Sequence, residues 1–140
     1  MSMNDDGQGK RSSDAAVAVI RRLGEAFNAS DRDTIEALLA DDVEWHEIGR
    51  DEPIRGKAAL AERFAGALPE WQITVDVHDA LANDQHAIML VTATATMDGQ
   101  SLTYRTAEIY HVKDGKVTAR WAFSDDTDRI NRFFTGAPPA

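Results

Sequence analysis

Two glutamates and one arginine stand among apolar and aromatic residues in predicted strands. Glu47 ends the short run VEWHE, and Glu108 and Arg120 lie within the stretch 107–123. A carboxylate against apolar walls can act as a general acid or base, and a guanidinium can polarise a carboxylate or enolate oxygen. The three residues therefore predict acid–base chemistry beside a carbonyl group. Glu47 would be the base, Arg120 would hold the oxygen, and Glu108 would orient Arg120 or act as an acid.

Turns between the predicted strands decide which side chains share a face of the sheet. An Asp-Gly pair between alternating runs is a strong hairpin signal, and the chain has such pairs at 98–99 and 114–115. A two-residue turn at 98–99 places Met89 opposite Glu108. Because side chains alternate along a strand, this pairing puts Met89 and Glu108 on one face.

The second hairpin allows two registers. A three-residue loop at 113–115 with Gly115 left-handed would place Glu108 opposite Arg120, and this is the register that we favour. A two-residue turn would instead place Trp121 opposite Glu108. In the favoured register one face carries Met89, Val91, Ala93, Tyr104, Thr106, Glu108, Tyr110, Arg120, Ala122 and Ser124.

Simpler interpretations of the same residues remain open. Glu108 and Arg120 could form an ordinary cross-strand ion pair, which contributes roughly 0.2–1 kcal/mol, and Glu47 could be a solvated edge residue. His46 points away from Glu47 in a regular strand and would reach the rim of a site only if the strand bulges. The residues predicted to contact a substrate are Trp45, His46, Tyr104, Tyr110, Met89 and Ser124.

Helical patterns precede most of the strand patterns. Apolar residues recur at helical spacing from Ser13 onward and again after residues 30 and 56, whereas four strand-like segments follow between residues 71 and 125. This order predicts an α+β fold with helices on one face of the sheet. We expect a single domain at 13–136, a disordered tail at 1–12 and a short tail at 137–140.

Composition excludes several classes of protein. The net charge is −9 and the basic residues are scattered, so neither a nucleic-acid partner nor an anionic membrane surface is expected. No apolar run is long enough to span a bilayer. Cysteine is absent, which fits a reducing cytoplasmic location. No two histidines have metal-ligand spacing and no dinucleotide or phosphate-binding motif is present, so no metal or other cofactor is expected.

Three segments together resemble the nuclear transport factor 2-like superfamily, and in particular its SnoaL-like branch. They are LADDVEWHEIG, IRGKAALAERF and YHVKDGKVTARW, in this order. The resemblance implies a cystatin-like α+β barrel: a cone-shaped, curved antiparallel sheet with three N-terminal helices covering its concave face and an internal pocket. Members of the superfamily include polyketide cyclases, epoxide hydrolases, a steroid isomerase and dehydratases, while others only bind ligands or partners.

The resemblance also implies which chemistry is absent. Epoxide-hydrolase relatives carry an acidic residue at the position of Ala122 and an Arg–Asp pair at Met89 and Val91, so epoxide hydrolysis by that mechanism is not expected. In steroid-isomerase relatives the base falls near Glu47 and a protonated aspartic acid, one of the standard examples of a neutral buried acid, falls near Glu108. Their donor tyrosine falls at about Leu23. Tyr104 or Tyr110 could supply that hydroxyl instead.

Two functional hypotheses follow. The first is a cofactor-independent isomerase, cyclase or dehydratase acting on a small apolar or carbonyl-containing molecule. The second is a non-catalytic ligand-binding or dimerisation module of the same fold. We also expect a homodimer, because the opposite face of the sheet is apolar at Ile88, Leu90, Ala107, Ile109, Trp121 and Phe123.

Overall fold

Four helices and six strands build the fold. A computed structural model describes residues 3–67 and 72–135, and it describes side chains from residue 13 onward except at 65–67 and 135. The helices are α1 (Met3–Asn28), α2 (Arg32–Leu38), α3 (Lys57–Ala67) and α4 (Thr127–Thr135). The strands are β1 (Leu39–Trp45), β2 (Ile54–Arg55), β3 (Gln72–Ala82), β4 (Ala87–Met97), β5 (Gln100–Lys113) and β6 (Lys116–Ser124).

The strands form one curved sheet in the order β2-β1-β6-β5-β4-β3. The predicted α+β class is therefore confirmed, although the described strands leave the sheet open instead of closing it into a barrel. The expectation of a wholly antiparallel sheet is wrong at one place, because β1 runs parallel to β6. No hairpin joins these two strands: α3 and the whole β3–β5 meander separate them along the chain, and such a long connection permits parallel pairing.

The hairpin between β4 and β5 has the predicted register. Met97 pairs with Gln100, and Met89 pairs with Glu108. The intervening residues are left-handed, with φ of 51° at Asp98 and 77° at Gly99. Two successive positive φ angles match the right-handed twist of the flanking strands, which explains why Asp-Gly specifies this turn.

The hairpin between β5 and β6 differs from both predicted registers. Its turn has two residues, so Lys113 pairs with Lys116, but the pairing shifts by one residue at a bulge that leaves Thr118 as the extra residue of β6. Glu108 consequently faces Ala122, neither Arg120 nor Trp121. The shift moves Arg120 by two positions relative to the favoured register, and an even shift leaves Arg120, Ala122 and Ser124 on their predicted face.

Helices cover the inner face of the sheet, and the core lies between the two layers. Ile20 and Leu23 of α1 are fully buried, as is Leu60 of α3, and Ile130 of α4 is almost so. In β4 the buried residues alternate with more exposed ones, as expected for a strand with one covered face. The face opposite the helices remains partly open, with Leu90 and Phe123 both exposed.

The predicted limits of the domain and of its two tails lie close to the ends of the described residues. Helix α1 already begins at Met3, ten residues before Ser13, where the helical spacing of apolar residues starts. Residues 1–2 and 136–140 lie outside the described residues, so the tails and the domain limits at 13 and 136 stay predictions.

Candidate functional site

A buried polar network occupies the helix-covered face of β5 and β6. The Glu108 carboxylate accepts hydrogen bonds from the Tyr110 hydroxyl at 2.7 Å, from Thr106 Oγ1 at 3.1 Å and from Arg120 Nη2 at 3.1 Å. Both carboxylate oxygens are therefore occupied. The predicted proximity of Glu108 and Arg120 is confirmed, but the two residues are diagonal neighbours, because Arg120 lies directly opposite Tyr110.

Protein groups contact the two terminal nitrogens and one face of the Arg120 guanidinium. Its Nη1 donates to the backbone oxygen of His46 at 3.1 Å, and its guanidinium carbon lies 4.5 Å from the centre of the Trp45 ring, in a cation–π contact. Its Nε is buried and has no hydrogen-bond partner among the described residues. Burial is the largest single effect and acts to lower the pKa of Arg120. The charge of Glu108, together with Tyr110 and the side-chain hydrogen bonds of both residues, outweighs burial and raises the pKa, so the guanidinium stays charged.

Two buried tyrosines stand beside this network with different surroundings. Tyr110 is 1% exposed and donates to Glu108. Tyr104 is also buried, yet its hydroxyl has no hydrogen-bond partner in the described part of the chain, and its ring lies 6.4 Å from that of Phe134. Burial, followed by the charge of Glu108, raises the pKa of Tyr104 to about 12. Tyr104 is therefore a neutral donor without a partner.

Glu47 lies just beyond the end of β1 and is engaged by a residue that sequence analysis missed. Arg63 of α3 places its Nε 3.2 Å and 3.3 Å from the two oxygens of Glu47. A signal for Arg63 did exist: it follows the buried Leu60 by three residues, so both lie on the same side of α3. Glu47 therefore lies beside a guanidinium and not against apolar side chains alone.

The turn that carries Glu47 is packed against α4 at Gly49. Gly49 has φ of +74°, and a Cβ added there would lie 2.5–2.9 Å from side-chain atoms of Asn131. We expect Gly49→Ala to cost about 2–3 kcal/mol of unfolding free energy, since it adds backbone strain and displaces Asn131. Urea denaturation measures this cost.

Gly99 is the matched control for Gly49. It has φ of +77° and nothing within 4 Å of an added Cβ, so Gly99→Ala carries the backbone strain alone, about 1 kcal/mol. Equal costs for the two substitutions would contradict the proposed packing of α4 on the Glu47 turn.

His46 is placed on the outer face, away from the other predicted contact residues. Its ring stacks on Trp121 with 4.9 Å between ring centres, and its Nε2 lies 3.5 Å from Glu44 Oε1. The prediction that His46 contacts a substrate is therefore not supported by its position. The cause is regular alternation at the end of β1: Trp45 faces inward, so its neighbour faces outward.

The remaining predicted contact residues line the covered face or its end. Trp45 is buried and touches Phe27 and Phe64, at ring-centre distances of 6.1 Å and 5.8 Å. Met89 is buried beneath α1. Ser124 ends β6, and its Oγ lies 3.0 Å from Thr127 Oγ1 in the first turn of α4.

This arrangement combines a fixed buried charge pair, a neutral unpartnered phenol and a half-buried carboxylate. The charge pair is closed by its own partners, so it orients and polarises its surroundings more readily than it takes up a proton. The Tyr104 hydroxyl can donate to a ligand oxygen, and Glu47 can accept a proton if it leaves Arg63.

Comparison with known proteins agrees with the fold. The SnoaL-like domain profile matches residues 20–120. An epoxide hydrolase-like protein of Mycobacterium tuberculosis is 20% identical over 89% of this chain and 92% of its own, with a TM-score of 0.77. A proposed polyketide cyclase from Xanthomonas campestris pv. campestris is 18% identical over 91% and 99% of the two chains, with a TM-score of 0.77.

A third structure is a proposed ketosteroid isomerase from Kribbella flavida, 26% identical over 81% of this chain and 80% of its own, with a TM-score of 0.66. No curated protein matches the sequence. No helix in the described residues is long and apolar enough to cross a membrane. Because the profile covers well over half of the chain and the fold agrees, the protein belongs to the SnoaL-like domain family of the nuclear transport factor 2-like superfamily.

Proposed function

We propose that the protein binds a small apolar, carbonyl-containing molecule on the helix-covered face and catalyses its isomerisation, cyclisation or dehydration without a cofactor. The observation that carries this proposal is the unpartnered Tyr104 hydroxyl beside the buried Glu108–Arg120 pair. Among the described residues the Tyr104 hydroxyl is not one of the fully buried polar atoms without a partner, so it is open to a ligand. A ligand oxygen is the natural partner for such a phenol.

In this proposal each residue of the site has a separate role. Tyr104 donates a hydrogen bond to the carbonyl oxygen, where negative charge develops in the transition state. Glu47 accepts the proton from the neighbouring carbon. Glu108 and Arg120 supply the fixed field, and Glu108 also holds Tyr110 in place. Trp45, Met89 and Ser124 are proposed to shape the apolar walls and the end of the site.

The names of the similar structures support this class of reaction. A polyketide cyclase and a ketosteroid isomerase are proposed for two of them. Epoxide hydrolysis stays outside the proposal, although one similar structure is an epoxide hydrolase-like protein. The positions where the resemblance would require charged groups hold the buried residues Met89, Val91 and Ala122.

The alternative is a ligand-binding protein without catalysis. The closed hydrogen-bonding of Glu108 favours this alternative, because a carboxylate with three donors has little capacity for proton transfer. A computationally designed 17-OHP binder has a similar fold, with 23% identity and a TM-score of 0.69.

Deuterium exchange separates the two functions. Compounds that raise the melting temperature would first be selected from a panel of cyclic ketones, since a ligand bound to the native state stabilises it. Each selected compound is then incubated with the protein in D₂O. We expect deuterium at the carbon next to the carbonyl with the native protein and none with Glu47→Gln. Binding without any exchange would refute catalysis and leave the binding function.

A homodimer through the outer face is also part of the proposal. The register of the sheet aligns the apolar residues of this face into two cross-strand rows, Ile88–Ile109–Trp121 and Leu90–Ala107–Phe123. None of the six carries a charge, although 28% of the chain is charged. A second copy placed by a two-fold axis would cover both rows with an identical surface.

We expect Phe123→Glu to convert this dimer into a monomer. Phe123 is 59% exposed, so a glutamate there disturbs little of the fold but puts two carboxylates into the dimer interface. Light scattering at micromolar concentration measures the change, with Ala37→Glu, on the exposed surface of α2, as a comparison. A monomeric native protein would contradict the proposed dimer.

A further inference from the structure

The pair of Glu47 and Arg63 differs from the other ion pair of the site in its accessibility. The side chains of Glu47 and Arg63 are 29% and 35% exposed, whereas those of Glu108 and Arg120 are 10% and 13% exposed. An exposed ion pair contributes little to stability, so a ligand can replace one partner at small cost. Opening the buried pair would leave an uncompensated charge in the interior. Of the two arginines, Arg63 is thus the one that a ligand can reach.

An aromatic cluster adjoins this pair. The rings of Phe27, Trp45 and Phe64 contact one another, with 5.5 Å between the centres of Phe27 and Phe64. Phe64 follows Arg63 on α3, and Trp45 precedes Glu47 by two residues. Phe27 and Phe64 are only half-buried. A partly exposed guanidinium next in sequence to the half-buried ring of Phe64 suits a molecule that joins a carboxylate to an apolar ring.

We propose that Arg63 binds the carboxylate of a ring-bearing organic acid, and that this carboxylate displaces Glu47. The two carboxylates compete for one guanidinium, so bound ligand and free Glu47 arise together. This inference rests on the proposed function in one respect: the displaced Glu47 becomes available as the base. Among carbonyl compounds it favours those that also carry a carboxylate.

If the two carboxylates compete, substitutions of Glu47 and Arg63 should change the affinity for a carboxylate ligand in opposite directions. A purely structural ion pair would not produce this difference. The probes are 2-naphthoate and its neutral amide, 2-naphthamide, and binding is measured by calorimetry. The native protein should prefer naphthoate. Glu47→Gln removes the competing carboxylate, so naphthoate should bind about two- to fivefold more tightly. Arg63→Gln should weaken naphthoate binding about tenfold and abolish the preference over naphthamide.

A second surface pair provides the matched control. Arg55 Nη2 lies 3.4 Å from Glu44 Oε1 at the β1–β2 edge, with both side chains accessible. Arg55→Gln changes the net charge as Arg63→Gln does, and it should leave the naphthoate preference intact. Arg63→Lys keeps the charge and should bind naphthoate with intermediate affinity. This variant keeps the proposal testable if Arg63→Gln does not fold.

The results distinguish this inference from the proposed function. Equal binding of naphthoate and naphthamide by the native protein would overturn the role of Arg63, as would weaker naphthoate binding by Glu47→Gln. Neither result would touch the deuterium exchange of neutral ketones, which tests catalysis separately. Tighter binding by Glu47→Gln, with loss of preference in Arg63→Gln, would establish the displacement.

Discussion

Arg120→Met is expected to lower the free energy of unfolding by about 3–5 kcal/mol, the typical cost of breaking a buried ion pair. The substitution preserves most of the side-chain volume beneath Trp45 but removes the charge that faces Glu108 at 3.1 Å. Glu108 would then remain buried with only the hydroxyl donors of Tyr110 and Thr106. Urea denaturation followed by circular dichroism measures the change.

The control for Arg120→Met is Arg55→Met at the exposed pair with Glu44. Arg55 is 70% exposed, so its substitution should cost less than about 1 kcal/mol. The double variant Glu108→Leu with Arg120→Met should recover part of the loss, because a buried pair replaced by apolar residues leaves no unpaired charge. An Arg120→Met variant as stable as Arg55→Met would mean that the pair is not buried in solution.

Tyr104→Phe should reduce the rate of deuterium exchange by about 10²–10³, the usual effect of losing one donor to a developing oxyanion. Its stability should change by less than about 0.5 kcal/mol, because the hydroxyl has no partner to lose among the described residues. The exchange rate with a ketone ligand and the urea midpoint are measured on the same variant.

Tyr110→Phe is the matched substitution for Tyr104→Phe. The Tyr110 hydroxyl donates to Glu108 at 2.7 Å, so its removal leaves a buried carboxylate short of one donor and should cost about 1–3 kcal/mol. The two substitutions should therefore have different effects: Tyr110→Phe lowers stability, whereas Tyr104→Phe lowers the rate of deuterium exchange. A Tyr104→Phe variant with native exchange would remove Tyr104 from the proposed mechanism.

Much of the fold was predictable because it depends on local periodicity. The Asp-Gly turns tolerate two left-handed residues, and the alternation of apolar residues assigns one face of each strand to the core. Both signals reside within a few neighbouring residues. The same signals placed Glu108, Tyr110 and Arg120 on one face correctly, even though the expected pairing of Glu108 with Arg120 was wrong.

The bulge at Thr118 could not be predicted from the residues around it. Its hydroxyl donates to the backbone oxygen of His111 at 3.3 Å, across the two strands, and no feature of the sequence around Thr118 requires an extra residue there. The parallel pairing of β1 with β6 is of the same kind, because it joins segments more than 70 residues apart. Such pairings result from the packing of the whole sheet.

The amino-acid sequence by itself determined the α+β architecture, the two hairpins and the face on which the buried charges lie, since periodicity and turn chemistry act over short distances. Only the tertiary structure decided the partners of those charges. Arg63 meets Glu47 because α3 packs beside the end of β1, and Arg120 meets the backbone oxygen of His46 because β6 pairs with β1. These contacts join segments remote in sequence, and their geometry depends on how helices and sheet pack together.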